Sequence, residues 1–185
     1  TRMATFKANA GPEIEALILE VRDRYHHELV KADVTIDAIM AASDGDEPAV
    51  KHHGYPAAAV IRKNNLEGRL KGLKDATITF DHAVWNGLDD KQRVALIDHE
   101  LTHLEVVYDS EGAIKYDDAG RPKLSLRPHD FELGIFNSVI RRHGAASMDL
   151  RSLEIAAEKF TQASLPFDED GPGAGDLDAD AEDAA

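Results

Sequence analysis

Cysteine is absent from this chain of 185 residues. That absence excludes disulfides, thiolate metal ligands and a cysteine nucleophile together. Any metal held here must be bound by histidine and carboxylate. Long apolar runs are missing too. None approaches a membrane span, and no segment has the basic start and apolar middle of a signal peptide. No membrane partner is expected, and the lack of cysteine fits a reducing cytoplasm. Lys and Arg form no cluster, so no nucleic-acid-binding surface is expected either. Residues 163–185 contain neither, and they carry eight Asp and Glu. Of the net charge of −14, this leaves −6 for residues 1–162.

What is present reads as an ordinary globular chain, 43% apolar and 30% charged. The length allows one domain with a real core, over 1–162. The acidic tail, 163–185, has almost no large apolar residue and is expected to be disordered. Its "DLDADAE" resembles a calcium loop only superficially. It lacks the sixth-position glycine and ends before the twelfth-position glutamate.

Periodicity sets the expected elements. Ile14, Leu17, Ile18, Val21, Tyr25 and Leu29 form a helical stripe over 11–33, with Pro12 in its first turn. Strands are expected over 34–42, 57–63 and 76–82, with a polar loop over 43–56 and a short helix or turn over 65–75. Asp89 and Gln92 have capping-box spacing, which opens a helix over 90–108. The stretch 110–128 has hairpin character around "DDAG". Helices are expected over 129–144, after Pro128 and closed by Gly144, and over 148–162.

The segment "ALIDHELTHLEVV", 95–107, carries His99, Glu100 and His103 in the pattern H-E-x-x-H. Residues four apart on a helix lie on one face, about 5.4 Å apart along the axis. Two imidazoles so placed can share one ion at about 2.0–2.1 Å each. Glu100 stands beside them, able to reach a water on the metal without filling a coordination position. That is the arrangement of metal-assisted hydrolysis, with the carboxylate as general base. A catalytic zinc has three protein ligands and one open position. The downstream candidates for the third are His129, Asp130, Glu132 and His143. His129 is favoured, because a preceding hairpin can bring it back against the helix. Asp130 then serves as an orienting partner and Glu132 as the alternative ligand.

The segment from "HGYPAAAVIRKNN" through "LIDHELTHLEVV", with "GRPKLSLRPHDFELGIFNSVIRRHG", resembles the phage metallopeptidase family. These are small proteins of bacteriophages and prophages, and the family resembles the minimal zinc-peptidase fold of SprT-like proteases. The likeness covers about residues 15–145. It implies an α+β, minimal zincin-like fold, with a small mixed sheet packed against the H-E-x-x-H helix and further helices. It also implies metal at His99, His103 and His129, catalysis at Glu100, Zn2+ as cofactor and a peptide or protein substrate. The location would be the cytoplasm of a bacterial host. By the same likeness, the strand "ATITFD" before the zinc helix is the edge on which an extended peptide lies.

The remaining histidines read as structural. His26 and His27 point about 100° apart on a helix. His52 and His53 sit in the polar loop, and His82 ends a strand. Tyr108, Tyr116, His143 or an arginine could assist at the carbonyl oxygen. The rival to a zinc peptidase is a zinc-stabilised, non-catalytic binding protein that acts on a host partner. The two part on whether the fourth metal position is open or closed by Asp130 or Glu132.

Overall fold

A computed structural model describes residues 5–45, 48–129 and 137–147, together with 154, 157 and 158. The chain divides into two compact units, Thr1–His129 and Asp130–Ala185. The expected domain boundary at 162 and the acidic tail lie outside the described residues. So does most of the expected helix over 148–162.

The first unit opens with β1 (Thr5–Asn9), an exposed strand followed by α1 (Pro12–Tyr25) and α2 (His27–Lys31). The single helix expected over 11–33 is therefore broken at His26, whose φ of −119° and ψ of 60° leave the helical region. The break has a tertiary cause. His26 Nε2 meets Asp98 Oδ1 at 2.8 Å, and the bend lets Leu29 and Val34 reach the core together.

Next come β2 (Ile36–Ser43), the short hairpin strands β3 (Lys51–His52) and β4 (Tyr55–Pro56), and β5 (Ala59–Lys63). The polar loop expected over 43–56 thus contains a hairpin. Its turn is His53-Gly54, with both residues at positive φ, 49° and 84°. Glycine adopts that conformation freely. Then follow α3 (Leu66–Leu70), β6 (Ala76–Asp81), α4 (His82–Gly87) and α5 (Asp90–Thr102).

The sheet order is β1-β2-β6-β5. β2 runs parallel to β6, and the two outer pairs are antiparallel, so the sheet is small and mixed. The whole is α+β. Alternation assigns the faces. Ala38, Ile61, Ile78 and Phe80 enter the core with Ile18 and Val21 of α1 and Ile97 and Leu101 of α5. Each fully buried Ile or Leu contributes roughly 1.5–3 kcal/mol. The opposite face carries Thr77, Thr79 and Arg62, among others. β6 is an inner strand, hydrogen-bonded on both sides. It is therefore not an edge, as the strand before the H-E-x-x-H helix was expected to be; the edges are β1 and β5.

The capping box expected at Asp89 and Gln92 is present, with both bonds at 2.9 Å. Asp89→Ala is expected to cost about 1 kcal/mol and to lower Tm by about 2–4 °C, read by thermal unfolding.

The helix expected over 90–108 stops at Thr102. Beyond it the pattern changes to period two, with Leu104 and Val106 buried and Glu105 exposed. This is β7 (Leu104–Val106), paired antiparallel with β8 (Leu124–Leu126) in the register Leu104↔Leu126. Between them, tight turns close at Asp109 and Asp117, each aspartate accepting two backbone N–H groups. The hairpin expected around "DDAG" is thus present, as part of a longer β7–β8 excursion.

In the second unit, α6 (Asn137–His143) ends in a 3-10 turn, with Gly144 at φ 52°. This matches the end of the helix expected over 129–144; its start lies outside the described residues. No described helix is long and apolar enough to cross a membrane.

Candidate metal centre

The β7–β8 pair decides what the spacing of residues alone could not. His103 is the C-cap of α5, one residue before β7 begins. The register Leu104↔Leu126 carries the returning chain back to that helix end. Arg127 N donates to the His103 carbonyl at 2.8 Å. Two residues later His129 arrives beside the H-E-x-x-H pair.

The ligand atoms of His99, His103 and His129 all lie within 4.8 Å of one another. His129 Nε2 and His99 Nε2 are 3.2 Å apart. Two nitrogens about 2.0–2.1 Å from one tetrahedral ion stand about 3.3 Å apart, so this spacing fits a shared ion. The ring centroids are 5.1, 5.1 and 4.6 Å apart. His103 Nδ1 is 2.7 Å from the Arg127 carbonyl oxygen. A carbonyl only accepts, so Nδ1 carries the proton and Nε2 keeps its lone pair for a metal. Burial pushes His99 below the ordinary imidazole range, reinforced by His103 and His129 and opposed by Asp98. A neutral imidazole is what a metal needs. The residues present therefore fit a divalent ion.

Glu100 lies on another side of the same helix turn and is 4% exposed. Its Oε2 accepts from Ile61 N–H on β5 at 2.7 Å. Asp81 N donates to the Ala58 carbonyl and Asn64 N to the Asp75 carbonyl, so the even residues of β5 face β6. Ile61 N–H consequently points away from the sheet, towards α5. Burial raises the Glu100 carboxyl above its usual range, against the Ile61 N–H and His103, which lower it. Oε1 makes no hydrogen bond to a described residue.

The chain carrying His129 is pinned to the body by groups that sequence reasoning missed. Asp75 is 1% exposed. It accepts from Arg121 Nε at 3.1 Å and Nη2 at 2.6 Å, and from Thr35 N and Oγ1 at 2.8 Å each. Arg69 forms a second ion pair with Asp117. These two pairs clamp the 117–121 turn. No local pattern signals them, because their partners lie 46 and 48 residues apart in the chain.

Asp81 was missed as well. One oxygen caps α4 through Ala83 and Val84, and the other receives Ala49 N–H at 2.8 Å. This holds the loop leading into β3. The His52 imidazole on that hairpin is lowered by burial first, then by His53, His103 and His129. It therefore stands within electrostatic reach of the cluster, which reading it as a loop histidine did not anticipate.

Other expectations are placed elsewhere. Tyr108 donates its hydroxyl to Glu28 on α2. His143 belongs to the second unit. Asp130 and Glu132, the residues on which a closed fourth position depended, lie outside the described residues. Among the described residues the group that could hold an ion is the three histidines, two of them exposed.

Comparison with the curated proteins found no match, and neither did comparison with the solved structures. A family model does match, across residues 6–161. That span takes in the sheet, the H-E-x-x-H helix and the returning His129, and the chain belongs to the family described as "Putative phage metallopeptidase".

Proposed function

We propose that this protein is a zinc-dependent peptidase, with His99, His103 and His129 as metal ligands and Glu100 as general base. One observation supports the reading above the others. Three imidazoles converge at the solvent-facing end of a helix whose Glu100 is buried with one oxygen held and one oxygen uncommitted. A purely structural site needs only the held oxygen and has no use for the uncommitted one.

Zinc bound there would supply a Lewis acid and lower the pKa of a water in its open position. The chain's own groups do the rest. Ile61 N–H fixes Glu100 Oε2, so the carboxylate stays in one rotamer. Oε1 takes the proton of the attacking water and passes it to the leaving amine. The raised proton affinity of Glu100 helps the first transfer, since a weakly basic carboxylate gives up its proton readily but captures it poorly. The Arg127 carbonyl holds the His103 ring in place throughout. An extended substrate would lie along the outer side of β5, next to Glu100, bonded through the strand's backbone. Three nitrogen ligands suit zinc, and they suit other late transition metals too.

The ligand set is tested by His129→Ala. Losing an outer-shell partner costs 10–100-fold in metal affinity, so losing a ligand is expected to cost more than about 100-fold. Zinc content after dialysis against a weak chelator is the measurement. Retention in His129→Ala with loss in Glu132→Ala would transfer the third position to Glu132.

A further inference from the structure

The face of the sheet turned away from α1 and α5 holds a cavity of about 530 Å³. Its lining includes Lys7 of β1, Arg62 of β5, Lys51 of β3, and the hydroxyls of Thr5, Ser43 and Thr79. No acidic residue is among the described residues that line it. Lys7 and Arg62 are exposed and make no ion pair with any described residue. In a chain of net charge −14, three basic and no acidic side chains among the described lining residues are unexpected. Lys51 has another interaction, so Lys7 and Arg62 are the cations that matter.

The sheet sets the size of the ligand. Lys7 and Arg62 stand on the two edge strands of four, three interstrand spacings or about 14 Å apart sideways, and the register offsets them by four residues along the strands, so their backbones are roughly 19 Å apart. One phosphate or one carboxylate cannot bridge them. An extended peptide advances about 3.3 Å per residue, so about six residues span the distance between the two backbones, and fewer between the tips of the two long side chains. The lining hydroxyls can donate to carboxylates along the way.

The position sets the role. Arg62 directly follows Ile61, whose N–H holds Glu100. A chain crossing β5 thus has the base at one residue and this cavity at the next. We infer that the cavity between Lys7 and Arg62 recruits an acidic segment of the polypeptide substrate and delivers the adjoining stretch to the metal centre. This role presupposes the peptidase reading, and the test separates the two.

Full-length protein carrying Glu100→Gln is titrated against two labelled peptides of about ten residues. One holds four consecutive Glu and the other four Gln, and anisotropy is read at low and moderate salt. The acidic peptide is expected to bind about tenfold tighter, with the gap shrinking as salt screens the charges. Lys7→Ala with Arg62→Ala should abolish the gap, and Lys7→Glu with Arg62→Glu should reverse it, at unchanged zinc content and Tm. Equal binding of both peptides, or tight acidic binding that survives the charge reversal, overturns the inference. So does displacement of the acidic peptide by inorganic phosphate at low millimolar concentration, which would mark a small-anion site.

The parent protein is then assayed for cleavage of the same pair. Faster cleavage of the acidic peptide supports recruitment. Equal rates despite unequal binding overturn it. Cleavage of neither, with charge-dependent binding intact, places the failure in the peptidase reading and leaves the acidic-segment site standing.

Discussion

Glu100→Gln is expected to lower kcat by roughly 10²–10⁴-fold while leaving zinc bound. The substitution removes the proton-accepting oxygen and little else. Glutamine has the same shape, and its carbonyl oxygen can still accept the Ile61 N–H that now holds Oε2 at 2.7 Å. His99 and His103 keep their positions, because the capping box and the packed Ile97 and Leu101 fix the helix independently of residue 100. Peptide-library cleavage read by mass spectrometry, with elemental analysis for metal, makes the comparison. A variant as active as the parent would remove Glu100 from the mechanism. A variant that loses its zinc would show that the carboxylate supports the site and does not act on the substrate.

The second large effect concerns stability. Arg121→Met is expected to destabilise the protein by roughly 2–4 kcal/mol at neutral pH. It leaves the Asp75 carboxylate buried with Thr35 as its remaining partner and frees the 117–121 turn on one side. Arg121 is partly exposed, which keeps the figure below the largest buried-pair losses. The corresponding fall in Tm is about 5–15 °C. Burial alone would raise the Asp75 carboxyl, but the Arg121 guanidinium and the Thr35 donors outweigh it and hold the group below its ordinary range. A carboxyl lowered in the folded state stabilises fully above the unfolded value, near pH 4, and loses that contribution as pH falls through its folded value. The stability gap between parent and Arg121→Met should therefore narrow below about pH 4. Thermal melts from pH 3 to pH 7 check this, and a constant gap across that range would mean that the pair carries no net electrostatic stabilisation.

Much of the site was legible because it is local. His99, Glu100 and His103 are fixed relative to one another by helical geometry, and Asp89 with Gln92 announces where that helix starts. His129 was reachable by a weaker route, from a hairpin that had to return somewhere. The end of the same helix was misread, since Leu104 and Tyr108 continue a helical stripe as well as they fit a strand. Only the pairing of Leu104 with Leu126 and Val106 with Leu124 settles that contest. The single helix over 11–33 failed similarly, broken where His26 finds Asp98, 72 residues away.

Strand order was not legible at all. "ATITFD" alternates as an edge strand would, yet β6 is enclosed between β2 and β5. The strand beside Glu100 comes from "AVIRK", which nothing local connects with H-E-x-x-H.

By itself, the sequence determined the H-E-x-x-H helix, the exclusion of thiolate chemistry, the alternation of strands and helices, and the concentration of negative charge at one end. These follow from composition and from periods of two to four residues. The tertiary structure alone decided that β5 holds Glu100, that Arg121 and Asp75 clamp the turn preceding the third histidine, and that Lys7 and Arg62 share a cavity. Such contacts join residues 39 to 55 positions apart. Their energy depends on burial and on which strands become neighbours, and no local spacing encodes either.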